Sequence, residues 1–317
     1  MKLSDLIHYR NNLVRNTNGE YRWALDNYID LQLRNVRHDV SVRNEFERLV
    51  EQSCSQVHTS LRQFESTLET VIQGVNALIE RVEPDYFARS YNWYTQESSF
   101  ETVEYILNRR LMVPDIELDA LKHCVKNLSD WRYPAMCIRP GRENHVRWLV
   151  PCHPLYIVDT DHDLLKPALE QFNPRYQRHL RTYALREQQN SMFDFVPNGQ
   201  LGLVYAYYFF NFRPFEVIKQ YLSELYHKLR PGGSLVFTFN NCDLSYGVKL
   251  SESSFCCYTP GGMLENLAQS LGYRHIKSEN TPTGLFWMHL TKPGEITTLR
   301  GGQTLAKIVP KTLEQSK

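Results

Sequence analysis

The segment Leu229-Arg230-Pro231-Gly232-Gly233, followed at once by Ser234-Leu235-Val236-Phe237-Thr238-Phe239, constrains the fold more than any other. An amphipathic run over 214–229 meets Pro-Gly-Gly, where a helix loses its donor and the backbone gains the freedom to reverse. The strand that follows is apolar without alternation. Such a strand is covered on both faces, as in a parallel sheet with helices above and below.

The stretch after Trp131 repeats this theme. Apolar runs at 135–138, 155–158 and 201–207, and the segment 180–185, read as strands, with helical stretches at 144–150, 164–172 and 214–229 among them. Thr259-Pro260-Gly261-Gly262 opens a further helix, with Thr259 as its cap and Gly272 as its stop. Segments 275–279 and 285–290 read as a closing pair of strands. Strands alternating with helices give a parallel sheet with right-handed crossovers. Ligands of open α/β sheets sit beyond the carboxyl ends of the strands. That rule selects Arg139, Asp159, Asp161, Arg186, Glu187, Tyr207, Asn211, Asn240 and Asp243. Asp161 and Asp163 also suit helix caps.

The first half of the chain reads as helical. Val50, Val57, Phe64, Val71 and Leu78 recur every seven residues, as do Cys54, Leu61, Leu68, Val75 and Val82. Two interleaved heptad series mark a coiled-coil seam. The seam serves either an intermolecular contact or packing along the chain's own domain. The long helix is expected over about 43–83, ended by Pro84. Residues 1–40 read as a polar helical arm. Shorter helices are expected at 100–111 and 115–127, the second capped by Asp115. The composition shift puts a boundary near 128–133. The expected layout is a helical region at 1–131, an α/β domain at 132–295 and a tail at 296–317.

Bulk properties exclude several classes. Lys and Arg total 36 against 35 acidic residues, so the chain as a whole makes no strong electrostatic claim on nucleic acid or anionic membrane. No uncharged apolar run approaches the ~18 residues of a membrane span. Seven cysteines without framework spacing, and an opening unlike a signal peptide, read as a reduced, cytoplasmic-type protein. Cys137, His145, Cys152 and His153 match no usual zinc spacing, so no metal is expected, and Cys256-Cys257 read as buried thiols. Nucleophile-elbow, P-loop and His-Glu-x-x-His motifs are absent from the sequence.

The order of these elements resembles a class I S-adenosylmethionine (SAM) dependent methyltransferase over about 133–292. Leu155-Tyr156-Ile157-Val158-Asp159 is similar to that family's second strand with its terminal carboxylate, 195–204 looks like the approach to its fourth strand, and Leu-Arg-Pro-Gly-Gly resembles the joint before its fifth. The resemblance implies SAM as cofactor, with Asp159 on the ribose hydroxyls, Glu187 as the acid after strand three, and the aromatic cluster at 205–211 near the transferred methyl. It yields a cofactor set of Arg139, Gly141, Asp159, Asp161, Glu187, Tyr207 and Asn211 and no identifiable catalytic residue. The first loop departs from the family pattern. Ile138-Arg139-Pro140-Gly141-Arg142-Glu143 holds one glycine, and no acid precedes it.

The whole chain also resembles an uncharacterised methyltransferase-like family of contractile-tailed phages, through its first seven residues, Tyr105–Arg110 and Leu299–Gln303. This implies a host-cytoplasmic or virion location and self-association or a protein partner through the N-terminal helices. The leading expectation is SAM-dependent methyl transfer to an open acceptor. The rival is an inactive methyltransferase fold serving in assembly. A nucleotide-dependent oxidoreductase lacks its Gly-x-Gly-x-x-Gly. The enzymatic expectation requires Val158 and Val236 in one sheet and an Arg139 side chain that leaves the carboxyl edge open.

Overall fold

The computed structural model describes residues 2–17, 40–95, 118–140, 144–187, 191–253, 256–280 and 286–294. The helix expected at 100–111, the Asp115 cap, Gly141 in the first loop and the tail at 296–317 lie outside them, while the helix expected at 115–127 is found at Asp119–Leu128. The chain divides into two compact units, Met1–Tyr86 and Phe87–Lys317.

The first unit contains α1 (Leu3–Thr17) and most of α2 (Val40–Thr95). Leu3, Leu6, Ile7 and Leu13 of α1 are buried. The expected stop at Pro84 is corrected: α2 runs through it to Thr95. An interior proline costs about 3 kcal/mol, a loss that a long helix with covered side chains beyond the proline can offset. Tyr86 and Ser90 are two such side chains. The two heptad rows are in different environments. Leu68 and Val75 are buried, whereas Val57, Phe64 and Leu78 are 40%, 51% and 43% exposed.

The second unit is a mixed α/β domain. Its elements are α3 (Asp119–Leu128), β1 (Ala135–Ile138), β2 (Leu155–Asp159), α4 (Leu165–Glu170), α5 (Pro174–Gln177), β3 (Leu180–Ala184), β4 (Leu201–Ala206), α6 (Phe215–Lys228), β5 (Leu229–Phe239), α7 (Ser245–Glu252), α8 (Gly261–Ser270), β6 (Arg274–Asn280) and β7 (Phe286–Thr291). All seven strands form one sheet in the order β3-β2-β1-β4-β5-β7-β6, so Val158 and Val236 share it. Neighbours pair in parallel except β7, which is antiparallel to both β5 and β6.

Successive strand residues point to opposite faces, and both faces are apolar here. Cys137, Ile157, Tyr205 and Val236 pack with α3 on one side, while Ile138, Val158, Val204 and Phe237 pack with α6 and α8 on the other. This is why the strands read as continuous apolar runs. The joint after α6 behaves as its residues require. Gly232 adopts φ +73°, its N–H donates to Lys292 O, and a Cβ on Gly233 would stand 2.7 Å from Leu201 O.

The helix at α8 corrects one expectation. Thr259 does not cap it: its hydroxyl is buried and makes no hydrogen bond. The first amides of α8 are taken from the loop after β5, by Asn241 Oδ1 on Gly261 N (3.1 Å) and Asp243 Oδ2 on Gly262 N (2.7 Å). Gly272 ends the helix at φ +92°, as expected.

Candidate functional site

The strand order reverses between β1 and β4, and the carboxyl ends around this switch point are where such sheets build ligand sites. Each strand delivers one expected residue there. Arg139 ends β1, Asp159 ends β2, Glu187 follows β3 and Tyr207 follows β4.

Arg139 takes a left-handed backbone, φ 54°, unusual for a side chain with a Cβ. The turn directs its side chain across the end of β2. Its Nε and Nη2 donate to Asp159 Oδ1 at 3.2 and 3.0 Å, and Nη2 also donates to Thr160 Oγ1 at 2.8 Å. Asp159 Oδ1 further accepts the Asp161 amide at 3.1 Å. Both side chains are withdrawn from solvent, at 5% and 0% exposure. Asp159 Oδ2 is buried and has no hydrogen-bond partner.

A second buried pair adjoins the first. Arg213 Nε donates to Glu187 Oε1 at 3.0 Å, and its Nη2 lies 3.4 Å from Thr160 Oγ1. The Tyr221 hydroxyl donates to Glu187 Oε1 at 2.7 Å, and the Tyr94 hydroxyl donates to Glu187 Oε2. Burial would raise the Glu187 carboxyl, but Arg213 and the two tyrosines outweigh it and hold the group below the usual range. The Phe209 ring lies between the arginines, 3.9 Å from the Arg213 guanidinium carbon and 5.5 Å from that of Arg139.

The remaining expected residues serve the framework. Asp161 accepts the Asp163 amide at 2.8 Å and caps the short turn His162–Leu164. Asn211, expected in the cofactor set, is buried. Its Oδ1 accepts from Thr238 Oγ1 at 2.9 Å and its carbonyl accepts the Cys257 amide at 2.9 Å, fastening the segment after β4 to β5. Tyr207 stacks on His145 with centroids 4.2 Å apart and planes at 25°. Asn240 donates to the Gly247 and Cys257 carbonyls, bracing the loop that caps α8. Among the described residues, no group of three His, Cys, Asp or Glu side chains could hold a metal, and no helix is long and apolar enough to cross a membrane.

Sequence reasoning missed Thr160, Arg213, Tyr94, Tyr221 and His145. Arg213 carried a signal: it is a lone charge in the apolar stretch Tyr207–Phe215, and an ion in such a stretch needs a partner. Tyr94 carried none, since 93 residues separate it from Glu187.

The fold family's cofactor would need the Asp159 carboxylate for its ribose hydroxyls. Here Oδ1 is held by a guanidinium and an amide, and the side chain has no exposure. Arg139 thus covers the shelf that the sequence left open. In this arrangement the residues do not fit the cofactor, because a charge-assisted hydrogen bond from the protein occupies Oδ1 and burial keeps the unpartnered Oδ2 from any hydroxyl.

A seven-stranded sheet in this order with a single reversed strand is the class I methyltransferase arrangement, joined here to a helical N-terminal region. No family model matches the sequence, and no curated protein matches it. Among solved structures the chain is similar to a SAM-dependent methyltransferase from Aquifex aeolicus, at 11% identity over 60% of this chain and 98% of that one, with a TM-score of 0.45. It is also similar to the N-methyltransferase NodS from Bradyrhizobium japonicum in complex with S-adenosyl-L-homocysteine, at 14% identity over 62% and 100% of the two chains, with a TM-score of 0.45. A SAM-dependent methyltransferase from Mesorhizobium loti shares 9% identity over 53% and 95%, with a TM-score of 0.42. The strand order, and not these likenesses, carries the fold.

Proposed function

We propose that this chain is a methyltransferase-fold protein that acts by docking rather than by methyl transfer. Its sheet domain keeps the framework with the cofactor shelf closed, and its helical unit contacts a second copy or another protein. This suits a component of a larger assembly, such as the phage particle implied by the sequence resemblance. The observation that carries the reading is the buried Arg139–Asp159 pair. The open heptad row at Val57, Phe64 and Leu78 supports the docking half. Calorimetric titration with SAM and S-adenosylhomocysteine tests it. The expected result is no heat and no thermal stabilisation at millimolar ligand. Saturable binding in the micromolar range would overturn it.

One observation favours a second reading, SAM-dependent methyl transfer. Asp159 Oδ2 is buried without a partner, and a buried polar atom left so costs about 1–3 kcal/mol. A ligand hydroxyl would relieve that cost if the Arg139 side chain withdrew. Heat on SAM titration that disappears in Asp159→Asn selects this reading.

A further inference from the structure

We infer that the β3 edge of the sheet is a docking surface for single-stranded nucleic acid, whose phosphates pair with its arginines and whose bases stack on Tyr183 and Phe195. This surface lies apart from the Arg139–Asp159 pair and does not depend on whether a cofactor binds.

Charge is the first observation. Residues 171–186 contain Arg175, Arg178, Arg181 and Arg186 and no acid, in a chain whose total is +1. The near balance of the whole chain therefore conceals a concentrated basic segment. All four arginines are exposed, and none forms an ion pair among the described residues. Glu187, the next acid along the chain, is already committed to Arg213.

Geometry is the second. β3 ends the sheet and pairs only with β2. Arg181 and Tyr183 are two residues apart on this strand and share one face. No helix is described between β3 and β4, so a turn at 192–195 is what the described residues place over that face. Phe195 from this turn stacks on Tyr183 with centroids 4.0 Å apart and planes at 13°, and both rings stay partly exposed.

Charged side chains on an edge strand also deter strand-to-strand aggregation, but that role needs no partly exposed aromatic stack beside them. Arginines beside a stacking platform are what single-strand binders combine, because every base has a π-face and every nucleotide a phosphate. The large aromatic contribution favours a single strand over a duplex, whose bases are already stacked.

The test is fluorescence anisotropy on the full chain with fluorescein-labelled (dT)20 at 50 mM salt, repeated with a 20-base-pair duplex and with poly-glutamate as competitors. The oligonucleotide should bind, with affinity falling as salt rises. Arg178→Glu combined with Arg181→Glu should weaken binding by about tenfold or more and reduce the salt slope by roughly 2. Tyr183→Ala should weaken it by about fivefold or more with the slope unchanged. Lys219→Glu, an exposed charge change on α6, should have no effect. Circular dichroism and melting temperatures establish that the variants fold. Absence of binding, equal binding by the double variant, or equal loss with Lys219→Glu would overturn the inference. Tighter competition by the duplex would remove the stacking role, and displacement by poly-glutamate at equal charge would reassign the surface to an acidic protein.

Discussion

Arg139 Nη2 lies 3.0 Å from Asp159 Oδ1, joining the ends of two adjacent parallel strands through a pair with almost no solvent exposure. The pair buries the carboxylate at the end of β2, where an open shelf was expected, and it also creates a measurable energetic dependence.

Removing one partner leaves the other as an uncompensated buried charge. Asp159→Leu or Arg139→Met alone should destabilise the domain by about 3–5 kcal/mol, while the double variant should recover most of that loss. Urea unfolding of the four proteins gives the coupling. Additive losses would show that the pair contributes nothing as a unit.

Acid should weaken the domain through His289. Its Nε2 lies 3.0 Å from Ser234 Oγ, and burial, with a smaller contribution from His275, lowers its pKa from 6.5 to about 4. Below 6.5 the unfolded chain takes up the proton before the folded one does. Stability is therefore complete above that pH and is lost as pH falls toward about 4, by up to about 3 kcal/mol. His289→Gln should flatten the difference in urea midpoint between pH 7 and pH 4.5. An identical pH response in the variant would assign the loss to other groups.

Gly247 on α7 has no room for a side chain. A Cβ there would stand 2.0 Å from the Asn241 carbonyl oxygen. Asn241 also accepts the first amide of α8, so a displaced backbone would uncap that helix. Gly247→Ala should cost at least about 1–3 kcal/mol, whereas Gly74→Ala, with nothing within 4 Å of its added Cβ, should be neutral or stabilising. Thermal melts of the two variants provide the contrast.

The helical unit separates surface from support. Phe64→Asp with Leu78→Asp changes two exposed positions, at 51% and 43%, and should lower the sedimentation coefficient of any oligomer while leaving the melting temperature within about 1 °C. Leu68→Asp, at 8% exposure, should instead lower stability. An unchanged sedimentation profile in the first variant would remove the open row from self-association.

The sheet was legible in the sequence because its information is local. Ala135–Ile138, Leu155–Val158, Leu203–Ala206 and Leu235–Phe237 are apolar on consecutive residues, which only a two-sided environment satisfies. Gly272 announced a left-handed stop for the same reason, since its conformation excludes most side chains. Pro84 misled because local preference assigns a breaker where the rest of a long helix tolerates one. Thr259 misled because Asn241 and Asp243, distant in sequence, reach the helix end first.

By itself the sequence determined the layered framework and which residues arrive at its carboxyl edge, since periodicity and strand ends are properties of neighbours along the chain. Only the tertiary structure decided what those residues do on arrival. Twenty positions separate Arg139 from Asp159, and 26 separate Glu187 from Arg213. Buried charges are stable only when paired, so the fold that gathered these four residues at one edge also matched them with one another.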